Sequence, residues 1–318
     1  MTGQQAEGRE AADGPLMLAV DTSTAALAAA VVRGGTTLAS LQTMAERNHS
    51  VQTVPQIKAL LERSGVAPES LDGLAVGRGP GSYTGMRIAV AVGKTLAWVW
   101  NKPLVGVSSL EALAYGAMCE AADGADEAAA GDIGGEFGRP ADLGEVSVGR
   151  THPAQADGIV SPEEWYIPIM DARRGQVYTA AFASQGGRES WSRLEDDGIR
   201  LMKDWVDRVN GLRLARRNGE APFRIWIVGD FSLHEAEGER LRSLCEAEIS
   251  YAGSRHTEVR LLPAVLNGSA VAALGMRRIA RGERDEAHTF VPNYTQLAEA
   301  EVKLLARQAG QAGEAGGR

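Results

Sequence analysis

The sequence is short of cysteine, histidine, aromatic residues and long apolar runs, and each shortage removes a class of function. It has 2 cysteines in 318 residues. Cys119 and Cys245 form no C-x-x-C pair, so no disulfide framework is expected, and a reducing, cytoplasmic setting follows as the simplest reading. The histidines, His49, His152, His234, His256 and His288, make no H-E-x-x-H motif. His234-Glu235 is followed by Ala236-Glu237-Gly238, without the second ligand that a zinc helix needs. His49, between Asn48 and Ser50, reads as a surface or capping residue. The longest apolar stretch, around Ile88 to Trp100, is interrupted by Lys94 and too short to span a bilayer. Met1 to Pro15 is polar and acidic, and Leu16 to Val20 is too short for the core of a secretory signal. Basic residues are outnumbered, 33 against 41 acidic, giving a net charge of −8. That excludes a chain that grips a nucleic-acid backbone alone, although not one that works on nucleic acid beside a basic partner.

Hydrophobic residues make up 44%, enough for a sizeable core, and the length suits two domains or one large one. The most distinctive segment is Gly77-Arg78-Gly79-Pro80-Gly81-Ser82-Tyr83-Thr84-Gly85-Met86-Arg87. It lies between the apolar run Leu71 to Val76 and the small, apolar run Ile88 to Trp100, which reads as strand, glycine turn, helix. A P-loop is excluded: Gly93-Lys94-Thr95 resembles its tail, but the first required glycine falls at Ile88. The dinucleotide pattern G-x-G-x-x-G fails too, because Gly85 comes one residue late. Ser82 lies outside any G-x-S-x-G elbow. On residue chemistry alone, a tight turn without a ligand is favoured.

Along the chain, residues 1–15 are expected to be a disordered extension. Strands are expected at Leu16 to Val20, Leu27 to Val32 and Thr37 to Thr43, with a hairpin at Arg33-Gly34-Gly35. Asn48 to Ser64 reads as an amphipathic helix with Val51, Val54, Ile57, Leu60 and Leu61 on one face and a kink or late start at Pro55. A strand at 71–76, a helix over 84–100, a strand at Leu104 to Val107 and a helix from Ser108 or Ser109 towards Cys119 follow. Residues 120–160, rich in Gly, Ala, Asp and Glu, read as a flexible insertion. Strands return at Trp165 to Met170, Gln176 to Ala183 and Phe223 to Val228. Helices come next, the clearest from about Pro263 to Arg281, and Leu297 to Leu305 is a last apolar pattern. The sum is an α/β chain of two lobes, each a mixed sheet flanked by helices. The N-terminal lobe spans 16–107 and the C-terminal lobe 108–294, with a helix and tail over 295–318.

Gly85, Ala89, Gly93 and Ala97 recur every fourth residue and form a ridge of small side chains that another helix could approach closely. The helix around them is apolar nearly all round. Burial within its own lobe and a subunit contact made with helix 50–64 are both open. Asp21-Thr22-Ser23-Thr24 could offer a carboxylate and hydroxyls to phosphate, but reads first as a polar turn.

Leu18-Ala19-Val20-Asp21-Thr22-Ser23, Asn48-His49-Ser50, the glycine segment, Val105-Gly106-Val107-Ser108-Ser109-Leu110, the run Pro168 to Tyr178 and Pro292-Asn293-Tyr294 together closely resemble the bacterial TsaB (YeaZ) family. The likeness covers roughly residues 16–118 and 163–305. It implies an actin/hexokinase-like (ASKHA) two-lobe fold. It implies a non-catalytic role in making threonylcarbamoyladenosine beside the tRNA anticodon. The implied partners are TsaD, the metal-bearing transferase, and TsaE, an ATP-hydrolysing component, with tRNA reached through the complex and a homodimer when TsaD is absent. The expected partner interface is Val51, Val54, Ile57, Leu61, Gly85, Met86, Ala89, Gly93 and Ala97. Gly77, Arg78, Gly79, Pro80, Gly81, Ser82, Tyr83, Thr84 and Arg87 form the family's loop. No cofactor or metal site is expected. The paralogous TsaD carries metal-binding histidines in a segment like V-G-V-H-H-M-E-G-H, where this chain has Ser109 and Leu113 at the two ligand positions. The rival reading is an actin-fold ATP-dependent kinase or nucleotide hydrolase that uses Asp21-Thr22-Ser23 and Gly229-Asp230. The single glycine and bulky Phe231 of the latter turn count against it. A plain dimerisation module stays open as well.

Overall fold

The first strand, Leu-Met-Leu-Ala-Val-Asp, is buried along its whole length, as expected of a strand covered on both faces. The computed structural model describes residues 14–44, 49–128, 161–216, 221–247 and 257–295. The expected N-terminal extension (apart from its last two residues), most of the insertion and the apolar pattern at 297–305 lie outside these residues. β1 (Leu16–Asp21), β2 (Ala26–Arg33), β3 (Thr36–Met44), β4 (Gly73–Gly77) and β5 (Leu104–Val107) form a sheet in the order β3-β2-β1-β4-β5. β1, β2 and β3 pair antiparallel, and β1, β4 and β5 pair parallel. β6 (Glu163–Asp171), β7 (Gln176–Gln185), β8 (Ser192–Leu201), β9 (Arg224–Gly229) and β10 (Glu258–Leu262) form a second sheet in the order β8-β7-β6-β9-β10. Its pairing repeats that of the first sheet, strand for strand.

The helices repeat as well. In the first half they are α1 (His49–Ser64), α2 (Tyr83–Trp100) and α3 (Ser109–Ala128). In the second they are α4 (Met202–Ala215), α5 (Glu235–Ala247) and α6 (Gly268–Ala280). α1 and α2 cover one face of the first sheet, and α4 and α5 pack together on the second lobe. The last helix of each half crosses over. α3 lies on β6, β7 and β9, α6 lies on β1, β2 and β4, and the two helices touch. α6 therefore belongs by packing to the first sheet, although the sequence reading grouped its residues with the C-terminal lobe.

Close approach makes this crossing possible. A Cβ on Gly275 would lie 2.4 Å from the Cβ of Ala75, and one on Gly268 would lie 2.3 Å from the backbone carbon of Ala29. Between the helices, a Cβ on Gly116 would lie 2.9 Å from Nδ2 of Asn267. Around them an aromatic cluster closes the core, with Trp191 stacked on Phe182 at 5.1 Å and edge-on to Tyr115 at 5.4 Å.

Several boundaries moved, each for a local reason. α1 passes through exposed Pro55 without ending. α3 runs on to Ala128, so 120–128 is helix and not insertion. α6 starts at Gly268, not near Pro263, because the Asn267 side chain accepts the Ala270 N–H at 2.8 Å and caps it. β8, α4 and β10 were not anticipated. β8 is a charged edge strand whose ordering comes from its ladder with β7 and from arginine packing. Arg193 sits 4.6 Å over the Phe182 ring and Arg200 4.5 Å over Trp205. α4 did carry a helical signal, in Met202, Trp205, Val206 and Val209.

Two glycine-to-alanine changes should have opposite signs. Gly275→Ala forces a 2.4 Å contact at the crossing and is expected to destabilise the chain by about 1–3 kcal/mol. Gly211→Ala, in α4 with nothing within 4 Å, is expected to stabilise it by about 0.5–1 kcal/mol. Urea titration of both variants checks the pair; two changes of the same sign would contradict the crossing geometry.

Candidate functional site

The glycine segment is the strand-to-helix turn that its sequence suggests, and it is tied down from several sides. Gly79 has φ 91° and Gly81 φ 157°, and the Gly79–Pro80 bond is cis. Ser82 caps α2, its hydroxyl accepting the Gly85 N–H at 3.3 Å. The neighbouring polar turn supplies most of the remaining ties. The Thr22 hydroxyl donates to the Gly85 carbonyl at 2.7 Å and accepts the Ala89 N–H at 3.1 Å. The Ser82 N–H donates to the Ser23 carbonyl at 2.7 Å, and Arg78 N–H to the Val107 carbonyl at 3.0 Å. A Cβ at Gly85 would lie 1.9 Å from the Thr22 carbonyl oxygen, so the loop needs glycine there to reach the turn at all.

Asp21 is the hub. It is fully buried, accepts the Ser109 hydroxyl at 2.6 Å and accepts the Ser23 N–H at 2.6 Å. The Ser109 hydroxyl in turn accepts the Gly79 N–H at 3.0 Å, and the Ser109 N–H donates to the Gly79 carbonyl at 3.0 Å. Burial raises the Asp21 carboxyl above the ordinary range, opposed in part by these hydrogen bonds. The carboxylate that the kinase reading needs at the phosphates is thus sealed inside and engaged with the loop. Its second element fares no better, because Asp230 accepts the Ser232 N–H and hydroxyl at 3.1 and 2.7 Å in a local turn. Ser109 holds Asp21, and Leu113 is buried with its Cδ2 beside Gly229. No cluster of three or more His, Cys, Asp or Glu stands within metal-binding reach among the described residues.

The expected interface residues divide in two. Gly85, Met86, Ala89, Gly93 and Ala97 point inward, and so do Ile57 and Leu61. A Cβ on Gly93 would lie 2.4 Å from Cγ2 of Val76, so the ridge of small residues fits α2 onto its own sheet. These seven are packed inside this chain. Val51 (73% exposed) and Val54 (52%) do face outward. The periodicity missed Trp98 (69%) and Val99 (61%), in the last turn of α2, because an all-apolar helix gives no sign of which face is covered. Tyr83 is exposed too; it contacts Tyr294 with ring centroids 5.5 Å apart, and Arg87 lies 5.4 Å over its ring. The equivalent face of α4 and α5 is laced with ion pairs, Arg240 to Asp207 and Glu237, and Arg242 to Glu239. No helix among the described residues is long and apolar enough to cross a membrane.

A family model described as "TsaD: tRNA N6-adenosine threonylcarbamoyltransferase" matches residues 41–127. The Bacillus subtilis protein named tRNA threonylcarbamoyladenosine biosynthesis protein TsaB is 31% identical over 292 residues, 92% of this chain and 99% of that protein. The Escherichia coli protein of the same name is 38% identical over 101 residues, 32% of this chain and 43% of its own length. The solved structure of YeaZ from Pseudomonas aeruginosa superposes with a TM-score of 0.57 at 23% identity, covering 88% of this chain and 99% of that one, a likeness of fold.

The Asp21 hub makes a signed prediction. With the folded carboxyl raised above its unfolded value, the stability contributed by neutral Asp21 is present at low pH and is lost as pH rises through the folded value. Asp21→Asn keeps the shape and removes that loss, so the variant should gain on the wild type between pH 4 and pH 8 in denaturant titrations. Asp21→Ala leaves the Ser23 N–H without its acceptor and should cost about 1–3 kcal/mol at both pH values. Parallel stability curves for the Asp21→Asn variant and the wild-type chain would refute the titration argument.

Proposed function

The chain belongs to the TsaB family, which serves threonylcarbamoyladenosine formation in tRNA, and from that premise we propose that it is a non-catalytic subunit that binds and activates a TsaD-type transferase. The observation that carries the proposal is the contrast between two topologically equivalent helix pairs. α4 and α5 pair their surface charges, whereas α1 and α2 expose Val51, Val54, Trp98 and Val99 to water. Large apolar side chains left in water on both helices of one pair suit a docking surface. The tyrosine and arginine at the start of α2 extend it towards Tyr294.

In this reading the glycine loop is a rigid mount. The Gly79 backbone and the Ser82 hydroxyl tie the loop to Ser109 and cap α2, and the face that α2 presents is held in place by that anchorage. TsaE and tRNA join through the complex with TsaD, and in the absence of TsaD the same face pairs two copies of this chain. The net charge of −8 suits a subunit that leaves phosphate contacts to its partner.

Co-expression with TsaD of the same organism, followed by size-exclusion chromatography with light scattering and an assay of tRNA modification, tests the proposal. A hetero-complex whose activity needs both chains is expected. Trp98→Asp and Val54→Asp should each weaken it at least tenfold while the thermal melt of the isolated chain stays put, because both side chains are solvent-exposed. Gly93→Leu, in contrast, should unfold the lobe. Wild-type assembly by both aspartate variants would remove the helical face from the interface. No complex, together with ATP turnover by this chain alone, would favour the kinase-like enzyme.

A further inference from the structure

The two lobes leave a cleft of about 580 Å³ between them. That volume falls within the range of small-molecule sites, roughly 300–1,000 Å³. The cleft opens at the carboxyl ends of the parallel strands β4 and β5, where Arg78 and Ser108 follow directly. Open α/β sheets bind ligands at such edges. α6 supplies Arg277, Arg278 and Arg281, and the opposite wall comes from Trp191 and β8.

The charges of this cleft do not cancel pair by pair. Arg193 is held by Glu111 at 3.0 Å and Asp197 at 2.6 Å, and Arg278 by Glu283 at 2.7 Å. Asp196 stands on the exposed edge of β8. Arg78, Arg277 and Arg281 have no carboxylate partner among the described residues. Arg277 is oriented by the Tyr115 ring, 5.8 Å from its Cζ. Nε of Arg78 and Nη1 of Arg277 are buried without a hydrogen-bond partner among the described residues. Both residues line the cleft, so their remaining guanidinium N–H groups can be offered to an acceptor that enters it.

We propose that the cleft between the lobes is a binding site for a small organic anion, whose phosphate or carboxylate group is taken by Arg78 and Arg277. Trp191, fixed by its stacking on Phe182, and Leu274 offer the apolar wall for the rest of the ligand. Glu111, Asp196, Asp197 and Glu283 ring the same cleft and repel an extended polyanion, so the ligand is a small molecule and not a nucleic-acid backbone. None of the exposed apolar residues Val51, Val54, Trp98 and Val99 lines the cleft.

Calorimetric titration of the full chain in chloride buffer, with inorganic phosphate in one arm and succinate in the other, tests the proposal. Saturable binding of at least one of them at one site is expected, weakened tenfold or more by Arg78→Gln and by Arg277→Gln. Lys58→Gln, which removes only the exposed pair with Glu62, should leave it unchanged. Binding in the phosphate arm alone assigns a phosphorylated ligand, and in the succinate arm alone a carboxylate. Amide shift mapping on the wild-type chain covers the case in which an arginine variant fails to fold. Perturbations centred on Arg78, Ser108 and Arg277 support the site. No saturable binding in either arm, equal binding by both variants, or shifts confined to other regions would overturn it.

Discussion

The exchange of terminal helices between the sheets is the constraint on which the rest of the molecule depends. α3 leaves the first half to cover the second sheet, and α6 leaves the second half to cover the first. Each lobe therefore needs the other half of the chain to bury its inner face, and neither can form a full core alone. Glycines and alanines at the crossing set the distance. Gly275 on Ala75 and Gly268 on the Ala29 backbone bring α6 so near the first sheet that a methyl group would already collide. With the two inner faces used in this way, only the outer helix pairs remain free to differ, and they differ in charge. α4 and α5 became a solvated surface of ion pairs; α1 and α2 kept apolar side chains in water.

The same economy governs the glycine loop. A carboxylate, three hydroxyls and several backbone N–H groups converge there, an inventory that could serve phosphate chemistry. Instead most of these groups find partners within the chain: Asp21 with Ser109 and the Ser23 N–H, Thr22 with Gly85 and Ala89, Ser82 with Gly85. A carboxylate this deeply buried carries a desolvation cost, and hydrogen bonds from its neighbours offset only part of it. The arrangement makes sense as a mechanical anchor for the N-terminus of α2. It makes little sense as a site, since a ligand would first have to break the network.

Much of this was legible from residues, and the failures have physical causes. β1, β2, β4 and β5 announced themselves as short apolar runs between turns, and the loop as a strand-to-helix turn. β8 was hidden because an edge strand with arginines lying over aromatic rings reads as a polar loop; the rings it covers, Phe182 and Trp205, lie outside the strand itself. The direction of α2 was hidden for a different reason. Its small residues could have met a partner or their own sheet, and a helix apolar on all sides gives both readings the same periodicity. Only the 2.4 Å approach of a Gly93 Cβ to Val76 decides for the sheet. The repeated strand order was visible as alternation, but the crossing of α3 and α6 was not, because connection lengths do not say which sheet a helix will cover.

The cleft stands apart from both patterns. Elsewhere many buried or half-buried charges are matched: Asp21 is hydrogen-bonded, Arg224 is paired with Glu164 and Glu258, and the outer surface of the second lobe is laced with ion pairs. Between the lobes it leaves Arg78 and Arg277 with buried nitrogens unmatched, although Glu111, Asp197 and Glu283 stand in the same cavity and bind other arginines. The walls supplied by the helix exchange keep both arginines on the lining of one cleft, so a bound anion would meet a preformed site.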